Sequence, residues 1–226
     1  MAQTLQELIR AARWFDAQGA VRVVIVRGAG RAFSAGADLA AFAGEPQLPP
    51  REAADLGRQM ADALESMRAL TIAAIHGWCV GGAIVLAAAC DLRIAAEDTR
   101  FSIPEVDLGI PLAWGGIPRL VREIGPARAK ELVLTCRPFD AHEAKLAGFL
   151  NRVVAADALE GEVETLARSL AEKAGVTLEA TKRHVNAVTA QMVGTARSWS
   201  DADGLASSLA DAECIEARRR YLASRR

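Results

Sequence analysis

Apolar positions along the chain switch between two periods. Leu5, Leu8, Ile9, Ala12 and Phe15 recur at helical spacing and stop before Gly19, which predicts an amphipathic helix ended by a glycine. Val21 to Val26 then reads as a strand. Leu56, Met60, Leu64 and Met67 form one stripe and predict a helix over 51–67, followed by a strand from Thr71 to Ile75 that ends at Gly77. Gly81-Gly82-Ala83 opens an Ala-rich segment to Cys90 that is apolar on every side, so the helix it predicts is a buried one. Asp91 to Ala95 and Arg100 to Ile103 add two more strands. From Trp114 onward the period is helical, with helices predicted at 115–124, 127–135, 140–147, 156–173, 177–193 and 202–223 and a single strand at Asn151 to Val154. The fold class is therefore α/β: a core over 1–155, then a C-terminal helical region over 156–226. Ala155-Ala156-Asp157 marks the boundary without a flexible linker. The segment from Glu45 to Pro50 is the one loop expected to move.

Composition narrows the function classes. With 226 residues and 51% hydrophobic content the chain is long enough to bury a substantial core, roughly 70% of its unfolded surface. Its 27 basic and 28 acidic residues nearly cancel, which excludes a nucleic-acid partner recognised by bulk charge. Cys79, Cys90, Cys136 and Cys214 form no CxxC pair and sit in apolar surroundings, so buried, reduced thiols and a cytoplasmic protein are expected. Apolar runs break well short of the ~20 residues that span a bilayer, and Met1 opens an amphipathic stretch instead of a signal peptide. No membrane partner is expected, and no histidine pair has metal-ligand spacing.

Two motifs look informative and are not. Gly28-Ala29-Gly30 follows a strand, but the third glycine of a dinucleotide fingerprint would fall on Phe33. Ala32-Phe33-Ser34-Ala35-Gly36 resembles a nucleophile elbow whose first glycine is replaced by Ala32, leaving a serine hydrolase built on Ser34 and one of His76, His142 or His184 as a weak alternative. Two glycine-rich turns carry more. Ser34-Ala35-Gly36-Ala37-Asp38-Leu39 follows the first strand, and Ile75 to Ala83 joins the second strand to the buried helix. Small residues there let a ligand approach the main chain, and the helix opening at Gly82 or Ala83 adds unpaired N–H groups. Amides converging from both turns would form an oxyanion hole; singly, each is an ordinary tight turn.

Taken in order, Val23 to Leu39, Ile75 to Gly82, Ala89 to Ala95, Phe101 to Ile110, Gly115 to Leu120 and Ala147 to Val154 resemble the enoyl-CoA hydratase/isomerase (crotonase) superfamily. The likeness is good over about 5–155 and weak in the helical tail. It implies a crotonase-like spiral of ββα units, an acyl-CoA thioester as substrate, coenzyme A as part of that substrate with no separate cofactor, and assembly as a homotrimer or hexamer. It further implies that the amides of Ala37 and Gly82 hold the thioester oxygen, that Glu105 is the catalytic acid, and that Ala35, Gly36, Asp38, Leu39, Gly81, Val85 and Trp114 line the substrate.

The chain departs from the family pattern at two places. Hydratases of the family use two glutamates, and the first of these positions holds Val85, which cannot ionise. One carboxyl suffices to carry a proton between C2 and C4 of an acyl chain, so Δ3,Δ2-enoyl-CoA isomerase-like chemistry is expected ahead of an inefficient hydratase or a non-catalytic acyl-CoA binder. Asp107, two residues from Glu105, is read as a turn residue ahead of a second acid, and Ala113 occupies the position of an aspartate used by dienoyl-CoA isomerases and aroyl-CoA dehalogenases. The second departure is at the start: about two dozen residues, two or three short strands in the family, are expected to be missing before the first helix.

Overall fold

A computed structural model describes residues 2–37, 48–197 and 201–224. After a first helix, α1 (Ala2–Ala17), the chain follows a repeating path: a strand enters one sheet, a short strand enters a second, and a helix leads to the next turn. β2 (Leu70–Ile75), β3 (Trp78–Val80) and α3 (Gly82–Ala88) make one such unit, and β4 (Leu92–Ala96), β5 (Arg100–Ser102) and α4 (Gly116–Thr135) the next. Ahead of them, β1 (Val23–Arg27), the lone bridging residue Ser34 and α2 (Pro50–Glu65) form a reduced version of the same unit. The first sheet has the order β1-β2-β4-β7, all parallel, with β7 at Arg152–Val154. The second has the order β3-β5-β6, where β6 (Phe139–Asp140) runs antiparallel to β5 and leads into α5 (Ala141–Leu146). This is the expected spiral of ββα units with a C-terminal helical region.

Strand pleating decides what each face meets. Ile72, Ala74, Ile94 and Ala96 point to one side, where they pack on Leu159 and Val163 of α6 (Leu159–Ala171). Ala73, Ile75 and Ala95 point to the other, into the main core with α1, α2 and α3. A parallel sheet covered on both faces needs strands that are apolar throughout, which is why β2 reads as a continuous run. α3 is buried on nearly every side, as its composition required: Ala83, Ile84, Val85, Ala87 and Ala88 are all in the interior. Ile84 alone, fully buried, contributes about 2–3 kcal/mol, and the alanines around it let neighbouring backbone approach the helix closely.

Buried charge fastens the helical region to this core. Lys182 of α7 (Gly175–Met192) donates from Nζ to Asp91 Oδ2 at 2.8 Å and to the Ala69 carbonyl at 3.0 Å. The same Asp91 oxygen accepts from the backbone N–H and the hydroxyl of Thr71, so one carboxylate ties α7 to the start of β2. A buried lysine is tolerated because every charge in the cluster has a partner.

Several expected elements differ in the structure. The helices expected at 115–124 and 127–135 are joined in α4 across a kink, where Gly125 leaves helical geometry (φ 75°, ψ 162°) ahead of Pro126. The single helix expected over 202–223 is two, α8 (Asp201–Ala210) and α9 (Ala212–Ala223). Asp211 is extended between them, and its side chain accepts from the Cys214 N–H, which starts α9 afresh. Leu205 and Leu209 therefore lie on α8 and Ile215 on α9. Ile215 is also exposed. β3 and β6, three and two residues long, are additions to the sequence reading. Cys79, Cys90 and Cys136 are buried, free thiols, whereas Cys214 is only half-buried. In the segment from Glu45 to Pro50, residues 45–47 lie outside the described residues. Among the described residues, no helix is long and apolar enough to cross a membrane.

Candidate active site

The two glycine-rich segments lie side by side. Phe33 N–H donates to the His76 carbonyl at 2.8 Å, Ser34 N–H to the Trp78 carbonyl at 3.0 Å, and Val80 N–H to the Ser34 carbonyl at 3.1 Å. The second segment is thus not a simple turn, since β3 lies within it and pairs with Ser34. Gly36 (φ +92°) passes so close to β3 that a Cβ there would stand 3.1 Å from the Val80 carbonyl oxygen. Ala37 follows at the same edge, half-buried, next to an exposed Ala35; Asp38 and Leu39 lie outside the described residues.

β3 ends at a turn that only glycine can make. Gly81 has φ 58° and ψ −122°, a conformation closed to residues with a Cβ, and its own N–H is already donated to the Ser102 carbonyl at 2.8 Å. Gly82 is the first residue of α3, so its N–H has no acceptor within the helix. Both glycines are covered from above. A Cβ on Gly81 would meet Glu105 Oε1 at 2.6 Å, and one on Gly82 would meet the Trp114 ring at 2.1 Å. The carboxyl group and the indole therefore rest directly on the two residues whose turn presents the amide.

Glu105 lies three residues beyond the end of β5, in a tight turn where the Ile110 N–H donates to its carbonyl at 2.9 Å. It is 9% exposed, and Oε2 is buried with no hydrogen-bond partner. Burial pushes the carboxyl up from the ordinary 4.5 to about 7. An acid that is poised near neutrality, with one oxygen unpaired and the other against the Gly81 turn, is equipped to accept and return a proton.

The whole chain, residues 1–226, matches the family model described as enoyl-CoA hydratase/isomerase. The chain belongs to that family. It is 36% identical to the crotonyl-CoA hydratase of Syntrophomonas wolfei over 184 residues, which cover 81% of this chain and 71% of that protein. It is 33% identical to a short-chain-enoyl-CoA hydratase of Clostridium acetobutylicum, with 82% and 71% covered. Among solved structures it is similar to an enoyl-CoA hydratase/carnithine racemase from Magnetospirillum magneticum, with TM-score 0.79 and 31% identity over 83% of this chain and 72% of that one. A hydratase from Bacillus halodurans superposes with TM-score 0.87 over 97% and 89%, at 21% identity, a likeness of fold alone.

The remaining positions singled out in this enoyl-CoA hydratase/isomerase family member lie in different surroundings. Val85 is fully buried on α3, with its Cγ2 only 2.8 Å from where a Cβ on Gly116 would stand. It backs the site and presents no surface to it. Asp107 is exposed, as a turn residue should be. Trp114 is half-buried with φ 63°, in the left-handed region that a bulky residue seldom occupies. Two side chains missed by the sequence reading hold it there. Asp201, at the start of α8, accepts from the Gly115 N–H at 2.6 Å, and Arg119 of α4 donates to the Gly115 carbonyl at 3.2 Å and the Trp114 carbonyl at 3.4 Å. Nothing local marks either residue for this work; both lie on helices that read as amphipathic.

The hydrolase arrangement is not assembled among the described residues. Ser34 Oγ accepts from the Gly36 N–H, His76 Nε2 pairs with the Gly30 carbonyl at 2.9 Å, and His142 and His184 are exposed on α5 and α7. Burial raises the thiols of Cys79 and Cys90, which makes both poor nucleophiles. A cavity of about 600 Å³ lies on the α6 side of the first sheet, lined by Arg27, Arg31, His76 and Glu160 among others. It includes none of Glu105, Gly81, Gly82 and Trp114, and an Arg27–Glu160 ion pair at 2.6 Å already neutralises two of its charges.

Proposed function

We propose that this acyl-CoA enzyme shifts a double bond by proton transfer, as a Δ3,Δ2-enoyl-CoA isomerase does. The observation that carries this reading is the buried carboxyl of Glu105, its Oε2 without a hydrogen-bond partner, over the Gly81–Gly82 turn, with an apolar, buried Val85 where a second acid would be needed to add water. Glu105 as carboxylate removes a proton from C2 of a 3-enoyl thioester. The electron pair moves onto the thioester oxygen, which the N–H groups of Ala37 and Gly82 stabilise. The dienolate then takes the same proton back from Glu105 at C4, giving the 2-enoyl product with the acid restored. A carboxyl near 7 suits both halves, since at neutral pH a large fraction is ionised to act as base and, once protonated, it is acidic enough to return the proton. Coenzyme A enters as part of the substrate, with no separate cofactor.

Hydration is the second reading, favoured by the names of the relatives, which include a crotonyl-CoA hydratase and a short-chain-enoyl-CoA hydratase. Mass spectrometry of purified protein with 3-enoyl, 2-enoyl and 3-hydroxyacyl-CoA esters separates the two. Isomerisation is expected to exceed hydration; 3-hydroxyacyl-CoA as the main product would reverse the order, and no conversion of any ester would leave a binder.

The same reading includes a homotrimer or hexamer in the cytoplasm, where buried free thiols stay reduced. α7 supports the assembly: Val185, Val188 and Met192, spaced along one helical face, are 57%, 52% and 70% exposed, and Val176 at its start is 82% exposed. Light scattering is expected to give three or six times 24.0 kDa. A mass equal to one chain at micromolar concentration contradicts it.

A further inference from the structure

We infer that Trp114 closes the acyl end of the site and restricts the enzyme to short acyl chains. The inference rests on the proposed placement of a thioester oxygen at Gly82. With the oxygen there and Glu105 over Gly81, the reacting carbons lie on the Gly81–Gly82 turn, between the carboxyl and the indole.

The indole is wedged between two helices. Its six-membered ring lies against Gly82 at the start of α3, and its five-membered ring lies against Gly57 in the middle of α2. A Cβ on Gly57 would stand 1.9 Å from Cδ2 of the ring. Gly57 is a poor choice inside a helix and costs about 1 kcal/mol against alanine. The ring explains it, because no other residue leaves room for an indole between α2 and α3. The space between these two helices, next to the reacting carbons, is filled by side chain.

This plug cannot swing aside easily. Trp114 and Gly115 both have left-handed backbone, at φ 63° and 66°. Asp201 fixes the Gly115 N–H, while Arg119, fully buried, fixes the two carbonyls. Arg119 is itself held by Asp62 and Glu65 of α2, at 2.8 and 2.6 Å, so the loop carrying the indole is tied to the helix it packs against. A wall that moves is permissive, and a wall fixed from both sides sets a length limit.

The test compares wild type with Trp114→Gly, a change that relieves the left-handed backbone while emptying the slot. Wild type is expected to convert four-carbon 3-enoyl-CoA at least about tenfold more efficiently, in kcat/KM, than the ten-carbon ester, and the variant to lose most of that preference. Trp114→Phe, which keeps an aromatic ring in the slot, is expected to retain it. Calorimetric binding of butyryl-CoA and decanoyl-CoA reads the slot without turnover and should show the same shift. If wild type binds and converts both lengths equally, or if folded Trp114→Gly keeps the wild-type preference in binding, the inference is overturned. Absence of turnover by wild type with every ester, alongside a shifted binding preference in folded Trp114→Gly, would sustain the plug and overturn the proposed isomerisation instead.

Discussion

Glu105→Gln is expected to lower proton transfer at the acyl α-carbon by about 10²–10⁴-fold while leaving thioester binding within a few fold. The amide has the shape of the carboxyl and can still fill the space over Gly81, but it cannot accept a proton. Exchange of solvent deuterium into the thioester reads this step without depending on which product is formed. Near-normal exchange in the variant would remove Glu105 from the mechanism. In wild type the acid limb of kcat/KM is expected to turn near pH 7, because burial raises this carboxyl to about 7 and only its ionised form can act as base.

The same variant should be more stable than wild type at alkaline pH. In the folded protein the carboxyl keeps its proton up to about pH 7, whereas in the unfolded chain it releases it near 4.5. Between those values the folded state binds more protons than the unfolded state, so stability falls as pH rises through that window and is level above it. A difference of this size corresponds to about 3 kcal/mol at pH 8, an order-of-magnitude figure. Glutamine carries no such penalty. Urea unfolding at pH 4.5 and pH 8 is expected to show the variant gaining on wild type only at the higher pH. Equal differences at both pH values would mean the carboxyl is solvated in the folded state. A group that weakens the fold at working pH is retained for its chemistry.

Much of the architecture was legible because its elements are long and strongly periodic. α1, α2 and the buried α3 followed directly from apolar spacing, and β1 and β2 from their apolar runs. The departures share a physical cause, which is that the deciding partner lies far away in sequence. β3 has three residues set among glycines, and it becomes a strand because Ser34 and β5 flank it. The break at Asp211 lacks glycine or proline and depends on one carboxylate capping Cys214. Within the site, the glycines and Glu105 were readable from order and spacing. The left-handed Trp114, the clamp through Asp201 and the buried Arg119 were not, since a tryptophan gives no sign of its φ and a charged helical residue gives no sign of its burial.

Arg119→Met is the substitution expected to cost most in stability, about 3 kcal/mol. The guanidinium is fully buried and links three elements: it bonds Asp62 and Glu65 on α2, and the Trp114 and Gly115 carbonyls ahead of its own helix. Methionine replaces its volume but none of its donors. The carboxylates are not left wholly uncompensated, because Arg58 still bonds Asp62 and Arg122 still bonds Glu65, which sets the cost at the lower end for a broken buried pair. The carbonyls have no such second donor from arginine. For a chain of this length the loss corresponds to a fall in melting temperature of roughly 6–12 °C. Arg119→Lys should recover only part of it, since an ammonium group cannot reach carboxylates on one side and carbonyls on the other with a rigid fork. If the arginine serves only as a staple, both variants will lose stability with the chain-length preference intact. If it holds the indole in place, as its bonds to Trp114 and Gly115 imply, Arg119→Met will also narrow the gap between four-carbon and ten-carbon esters at temperatures where it is still folded.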